Sequence, residues 1–274
     1  MTTTRTRLFA LAGALTLALS ACGGNDAPVP ADKAAASPSG GSGSYAPITV
    51  FAAASLHTVF DEIGADVEKQ TGAKITFSYA GSSDLAAQLN SGALGDVFAS
   101  ANEKQMTVAV SGGSVAKDAP TPFATNTLTI VTPKGNPAHV TALADLRKPE
   151  VKTVVCAPQV PCGAATGELF TEAGLTVTPV SEESAVTDVL GKVTSGQADA
   201  GLVYVTDATG AGDDVTVVKT PEAAKIVNVY PIAITAHGVE DAGRQATAEA
   251  FVEAVRSTEG QQLLSRAGFG APTS

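Results

Sequence analysis

The sequence predicts an α/β fold with mostly parallel sheets, on three observations. Short apolar, β-branched runs alternate with longer stretches of helical periodicity, the rhythm of strands joined by helical crossovers. The first of these, residues 48–79, reads as strand, helix, strand, a complete parallel unit. The chain has 274 residues, 44% hydrophobic and 16% charged, enough for two α/β lobes rather than one small core.

In order, the run ITVFAA from Ile48 is a buried strand that shrinks to alanines and meets Ser55, read as a helix cap. A helix over 56–70 follows, with Val59, Phe60, Ile63 and Val67 on one face and Thr71-Gly72 as its stop. The segment 74–79 alternates as a strand and ends at Gly81-Ser82-Ser83-Asp84. The next helix turns Leu85 and Leu89 inward, and Asn90-Ser91-Gly92 ends it. A short strand over 95–100 leads to a helix over 103–110 with Met106 and Val110 inward.

Pro120 and Pro122 break the pattern, and a first passage between lobes is expected near 124–128. A strand over 127–132, a short helix at 143–146 and a strand over 152–156 come next. Pro161-Cys162-Gly163 reads as a turn before a helix over 164–173, and 176–179 as an extended piece. Residues 181–184 introduce an amphipathic helix carrying Val186, Val189, Leu190 and Val193, stopped at Ser195-Gly196. Strands are expected at 198–204, at 215–218 and at 227–234, the last as the return to the first lobe. Helices over 244–256 and 260–266 complete the chain.

The first 46 residues are not fold. Arg5 and Arg7 form a basic start and 8–19 an apolar core of signal-peptide length. Leu19-Ser20-Ala21-Cys22 resembles a bacterial lipobox, which gives 1–21 as a lipoprotein signal peptide and Cys22 as the lipid-bearing residue. Residues 22–46 are rich in Gly, Ser, Pro and Ala and read as a flexible linker. The expected location is extracytoplasmic, on the outer face of the bacterial membrane, held by lipid rather than by a span. Taking two positive charges and no negative one from the formal −10 leaves −12. Such a chain has no basic stripe for nucleic acid. In an oxidising compartment Cys156 and Cys162 are candidates for a disulfide, with two reduced buried thiols as the alternative.

Several chemistries lack their residues. There is no Gly-rich phosphate loop with its Lys, no Gly-x-Ser-x-Gly elbow and no His-Glu-x-x-His. Ser55 and His57 stand two apart and do not face each other on a helix. Asp96 and Asp199 sit beside strands, where Asp usually closes a turn. In open parallel sheets ligands gather beyond the strand C-termini. There this sequence places neutral donors: serine hydroxyls, a tyrosine hydroxyl and helix-start N–H groups. Such donors hold an anion without a counter-charge, and they favour binding over catalysis.

Five stretches carry a family likeness: ITVFAAASL from Ile48, AGSSDLAAQLNSGALGDVFASANEKQM from Ala80, TNTLTIVTPKGNP from Thr125, AGLVYVTDA from Ala200 and VYPIAI from Val229. Together they resemble the molybdate/tungstate-binding proteins that serve ABC importers, over nearly all of 47–270. The resemblance implies a type II periplasmic-binding-protein fold of two lobes joined by two crossover strands, 47–125 with 229–274 as one lobe and 126–228 as the other. It implies a monomer that hands its oxyanion to the permease subunits of an ABC transporter, with no cofactor and molybdenum present only as the bound oxyanion. The implied ligand set is Ser55 and Ser82 through hydroxyl and amide, the amides of Cys162 and Val186, and the hydroxyl of Tyr204. Many relatives have a small residue where this chain has Cys162, and no partner at Cys156. The other readings are a receptor for another tetrahedral oxyanion such as sulfate, a hydrolase using Ser55 with His57, and an adhesion or scaffold lipoprotein.

Overall fold

The computed structural model of the chain describes residues 44–272. The expected signal peptide, Cys22 and most of the expected linker lie outside the described residues. Ala46, placed at the end of the linker by sequence, already belongs to the fold. Its N–H donates to the Gly243 carbonyl at 3.1 Å, and its own carbonyl accepts from Thr247 Oγ1 at 2.7 Å.

The first sheet-forming half contains β1 (Ile48–Ala53), a 3₁₀ turn Ala54–Leu56, α1 (His57–Thr71), β2 (Ile75–Ala80), α2 (Ser82–Asn90), β3 (Val97–Ala99), α3 (Glu103–Ser111) and β4 (Thr121–Asn126). Then come β5 (Leu128–Pro133), a 3₁₀ turn Leu143–Arg147, β6 (Thr153–Cys156), α4 (Pro161–Glu172), β7 (Ser181–Glu183), α5 (Val186–Thr194), β8 (Ala200–Tyr204), α6 (Val205–Ala211) and β9 (Val215–Val218). The chain ends with β10 (Asn228–Ile234), α7 (Ala242–Arg256) and α8 (Thr258–Arg266).

Two five-stranded sheets result, ordered β2-β1-β3-β10-β4 and β7-β6-β8-β5-β9. They are mixed rather than mostly parallel. β1 pairs parallel with β2 and β3, and β6 pairs parallel with β7 and β8. β10 runs antiparallel to β3 and β4, and β5 antiparallel to β8 and β9. The strands that break the parallel rule are the ones next to the passages between sheets. β4 and β5 form one extended run interrupted only at Thr127, and β10 brings the chain back beside β4, with Asn228 opposite Asn126. A chain shuttling between sheets does not repeat the helical crossover that keeps neighbours parallel.

Four local expectations change. β4 contains Pro122 in spite of its missing N–H, because β4 is the edge of its sheet and needs no donor on the outer side. α4 begins at Pro161, so Pro161-Cys162-Gly163 is the first helical turn, with proline at the position whose N–H has no helical partner anyway. The polar segment Ser181–Glu183 is a short edge strand beside β6, with Lys192 Nζ joined to Ser181 Oγ at 2.7 Å and to Glu183. A helix, α6, follows Tyr204 directly, in place of the loop expected after that residue.

The core of the first sheet is aromatic. Phe60 of α1 is fully buried, with its ring 5.2 Å from that of Phe251 at 84° and 5.8 Å from that of Phe123. α1 ends at Gly72, whose φ of 74° suits a residue without Cβ and whose N–H closes on the Glu68 carbonyl. Truncating the central ring, Phe60→Ala, is expected to cost about 3–5 kcal/mol. Urea unfolding should show it as a lower midpoint at unchanged slope.

Candidate functional site

Both sheets end the same way where they face each other. β1 and β2 are parallel neighbours that finish in register, Ala53 opposite Ala80. β6 and β7 are parallel neighbours that finish in register, Cys156 opposite Glu183. Each of these four strands feeds a helix or a 3₁₀ turn, directly or through a short connection. The four starts converge on one small cavity of about 10 Å³, lined by Ala53, Ala54, Ser55, Ala80, Gly81, Ser82, Ala101, Val160, Pro161, Cys162, Val186 and Tyr204. All five residues of the expected ligand set lie on this wall. No lining residue is charged.

The helix starts at this cavity share a deficiency. Their N-cap residues are Ala53, Gly81, Val160 and Ala185, and none offers a side-chain oxygen to the open N–H groups. Away from the cavity α3, α7 and α8 carry side-chain caps, whereas α1 and α6 have none. Asn102 accepts from the Gln105 N–H, Asp241 from Arg244 and Ser257 from Gly260. The first N–H groups of a helix have no intrahelical partner, and buried amides seek one. Around the cavity Ser82, Cys162 and Val186 are buried. Their amides stand at the positive ends of α2, α4 and α5, which makes the cavity a seat for an anion.

Ser55 is not the cap that sequence suggested, and Ser82 does not cap α2 either. Ser55 lies inside the 3₁₀ turn and Ser82 is the first residue of α2. Their side chains have other partners. Ser82 Oγ accepts from the Ala101 N–H at 3.0 Å, and Ser55 Oγ lies 3.0 Å from Tyr230 Oη. Tyr204 Oη accepts from Asn228 Nδ2 at 3.0 Å, and the same Asn228 amide group donates to the Ala101 carbonyl at 2.9 Å. A hydroxyl that already accepts keeps its proton for another acceptor. Ser82 and Tyr204 are therefore set as donors, and Ser55 becomes one when Tyr230 donates to it. Burial raises the phenols of Tyr204 and Tyr230 well above the usual tyrosine range, so both stay protonated.

Cys156 and Cys162 are joined by a disulfide with Cα atoms 5.7 Å apart. It closes the loop that delivers the Cys162 amide. Ala157 N–H donates to the Glu183 carbonyl at 2.8 Å, and Val160 N–H to the Ala157 carbonyl at 2.9 Å, so the loop is tied to β7 as well as to itself.

The residues set aside by sequence take structural places. His57 is exposed, with Nδ1 3.2 Å from Thr58 Oγ1, and it makes no contact with Ser55 Oγ of the kind a relay needs. Asp96 accepts from the Thr49 N–H at 2.7 Å and pairs with Arg244 at 3.1 Å. Asp199 accepts from the Lys152 N–H at 2.9 Å. Among the described residues no group of three or more His, Cys, Asp or Glu gathers to hold a metal ion. Sequence reasoning missed Asn228 and Tyr230, which hold Tyr204 and Ser55. The available signal was polarity inside a buried strand, because a buried Asn or Tyr must find a partner.

Asp207, in the first turn of α6, accepts from the Tyr204 N–H at 3.0 Å. Burial pushes its carboxyl up to about 7, against the lowering effect of the N–H bonds it receives.

The family model of bacterial extracellular solute-binding proteins matches residues 48–270. The molybdate-binding protein ModA of Mycobacterium tuberculosis is 45% identical over 259 residues, 94% of this chain and 95% of that one. Among solved structures, the periplasmic molybdate-binding protein of Azotobacter vinelandii superimposes with a TM-score of 0.69 at 22% identity, over 82% of this chain and 100% of that one. The sulfate-binding protein SubI of Mycobacterium tuberculosis gives a TM-score of 0.64 at 21% identity, over 82% and 86%. The two structural likenesses establish the two-lobed α/β fold.

The raised Asp207 carboxyl has a consequence for stability. The folded chain holds this proton more tightly than the unfolded chain, whose carboxyl titrates near 4. Ionising Asp207 therefore works against the fold, and its contribution to stability falls as pH rises from about 4 through about 7. Asp207→Asn keeps an oxygen for the Tyr204 N–H and removes the titration. Its Tm, compared with wild type between pH 5 and 8, is expected to decline less toward the alkaline end.

Proposed function

The chain belongs to the family of bacterial extracellular solute-binding proteins, and we propose that its solute is molybdate, with tungstate as a second ligand. In this reading residues 47–125 with 229–274 form one lobe and 126–228 the other. The oxyanion sits between them, against the hydroxyls and amides of Ser55 and Ser82, the amides of Cys162 and Val186, and the hydroxyl of Tyr204. The protein works as a monomer, leashed to the outer face of the membrane by lipid on Cys22, and passes its cargo to the membrane subunits of an ABC permease. It catalyses nothing: the cavity groups are neutral donors held in place by neighbours, with no base aimed at a nucleophile.

One observation carries the reading. Four helix starts without caps meet around a cavity that lacks any charged wall residue. A buried array of N–H and O–H groups with no acceptor of its own is complementary to a compact species made of acceptors. A tetrahedral metal-oxo dianion is such a species. The 45%-identical mycobacterial relative is a molybdate-binding protein, which favours molybdate within that class. Sulfate presents the same charge and the same acceptor count on a smaller frame, so size must discriminate between them. With a net negative chain, long-range attraction is absent and affinity comes from the local donors.

A thermal-shift panel of molybdate, tungstate, sulfate, phosphate and chromate tests this. At one hundred times the Kd, a ligand adds about 2.7 kcal/mol, a Tm rise of roughly 5–10 °C for a chain of this size. Molybdate and tungstate should give such rises and the others little. Ser82→Ala should weaken molybdate binding about 10- to 100-fold, the range for a hydrogen bond to a charged group. Its apo form should still unfold cooperatively. Equal rises with sulfate would defeat the size argument.

A further inference from the structure

Ten of the twelve cavity wall residues are buried, and the space they enclose is about 10 Å³, with no room for an oxyanion to enter as the sheets stand. Entry therefore requires the two sheets to part along the seam between them, and retention depends on what holds the seam shut. One such contact lies outside the cavity. Gln105 Nε2 of α3 donates to the Gln159 carbonyl at 2.8 Å. α3 packs against α2 and β10, on the side of the first sheet. Gln159 lies in the loop between β6 and α4, on the side of the second sheet.

Gln105 shares the buried face of α3 with Met106 and Ala109 and is only 6% exposed. Of the three it alone has a polar end, and that end reaches the opposite loop. That loop cannot follow α3 if the sheets separate, because the disulfide and the Ala157 to Glu183 bond hold it to its own side. Opening must break the Gln105 bond. The loop also ends at Cys162, so the contact and the cavity amide share one rigid segment.

Gly81 independently marks this seam as a close approach. Its φ of −60° and ψ of 137° are open to any residue. A Cβ there would lie 2.1 Å from the Ser184 carbonyl oxygen across the seam. Glycine is required at 81 by the proximity of the second lobe rather than by its own backbone.

We propose that Gln105 is the latch of the closed form, its side-chain amide bridging α3 to the disulfide-tied loop at Gln159 and slowing anion release without touching the anion. It is a positioning residue, and this role rests on the reading of the cavity as an oxyanion site. Stopped-flow tyrosine fluorescence, convenient in a chain with four Tyr and no Trp, would give molybdate association and dissociation rates for wild type, Gln105→Ala and Gln105→Glu. Loss of one such bond should speed dissociation about 3- to 10-fold. Association should stay within about twofold and the apo Tm should stay at its wild-type value, since the bond forms only on closure. Gln105→Glu, isosteric but facing a carbonyl with no donor, should release at least as fast as Gln105→Ala. Gly81→Ala, which blocks closure sterically, should bind far more weakly while keeping an ordinary apo Tm. Wild type that binds while both Gln105 variants release at its rate would overturn the latch alone. A lowered apo Tm with unchanged release would do the same, by reducing Gln105 to a packing residue. Wild type that binds no molybdate would overturn the oxyanion reading and the latch with it.

Discussion

Holding a dianion with neutral groups requires that each donor be free toward the ligand and fixed by everything behind it. The structure meets the first half by leaving four helix starts uncapped, at Ala53, Gly81, Val160 and Ala185. It meets the second half by giving the cavity hydroxyls a neighbour that occupies their lone pairs. Ala101 N–H serves Ser82, Asn228 serves Tyr204 and Tyr230 lies against Ser55. An uncapped buried helix end is costly by itself, because the open N–H groups have lost water and gained nothing. That cost is the reserve from which a bound acceptor draws its affinity. A Lys or Arg in the wall would satisfy the anion more simply, but it would leave a buried unpaired charge in the empty protein.

The rest of the architecture places these starts. Parallel strands that end in register put two helix N-termini side by side, and each sheet does this once. The antiparallel strands have the other task of joining the sheets. β10 begins at the passage with Asn228, whose amide reaches both the Ala101 carbonyl and Tyr204 Oη. One side chain thus ties the loop after β3 to the end of β8, and the donor geometry of the second sheet is referenced to the first. The disulfide between Cys156 and Cys162 performs a comparable service within the second sheet, fixing the loop that presents the Cys162 amide.

Much of this was legible in the sequence. Apolar periodicity located nearly every helix and strand, because burial on one face leaves a regular trace. The five expected ligand residues came from a family likeness and from the small-residue strand ends, and they line one cavity. What escaped detection was decided by tertiary placement. Pro122 looked like a break and sits in a strand, since only the sheet order reveals that β4 is an edge. Ser181–Glu183 looked like a polar lead-in and is a strand because β6 offers it a pairing partner. Ser55 looked like a cap because serine before a helix usually is one. Gln105 carried no local signal of a partner, and its amide bonds a carbonyl 54 positions away. No local window contains that information.

In the proposed complex, neutral donors from both sheets surround a metal-oxo dianion in the gap between them. Anomalous diffraction from crystals of the tungstate-loaded protein tests it most directly, since the heavy atom announces its own position. A single peak is expected within the cavity bounded by Ser55, Ser82, Cys162, Val186 and Tyr204, with the ion's oxygens within hydrogen-bond distance of their N–H and O–H groups. A peak lodged away from that cavity, or held there by lysine or arginine side chains, would contradict it.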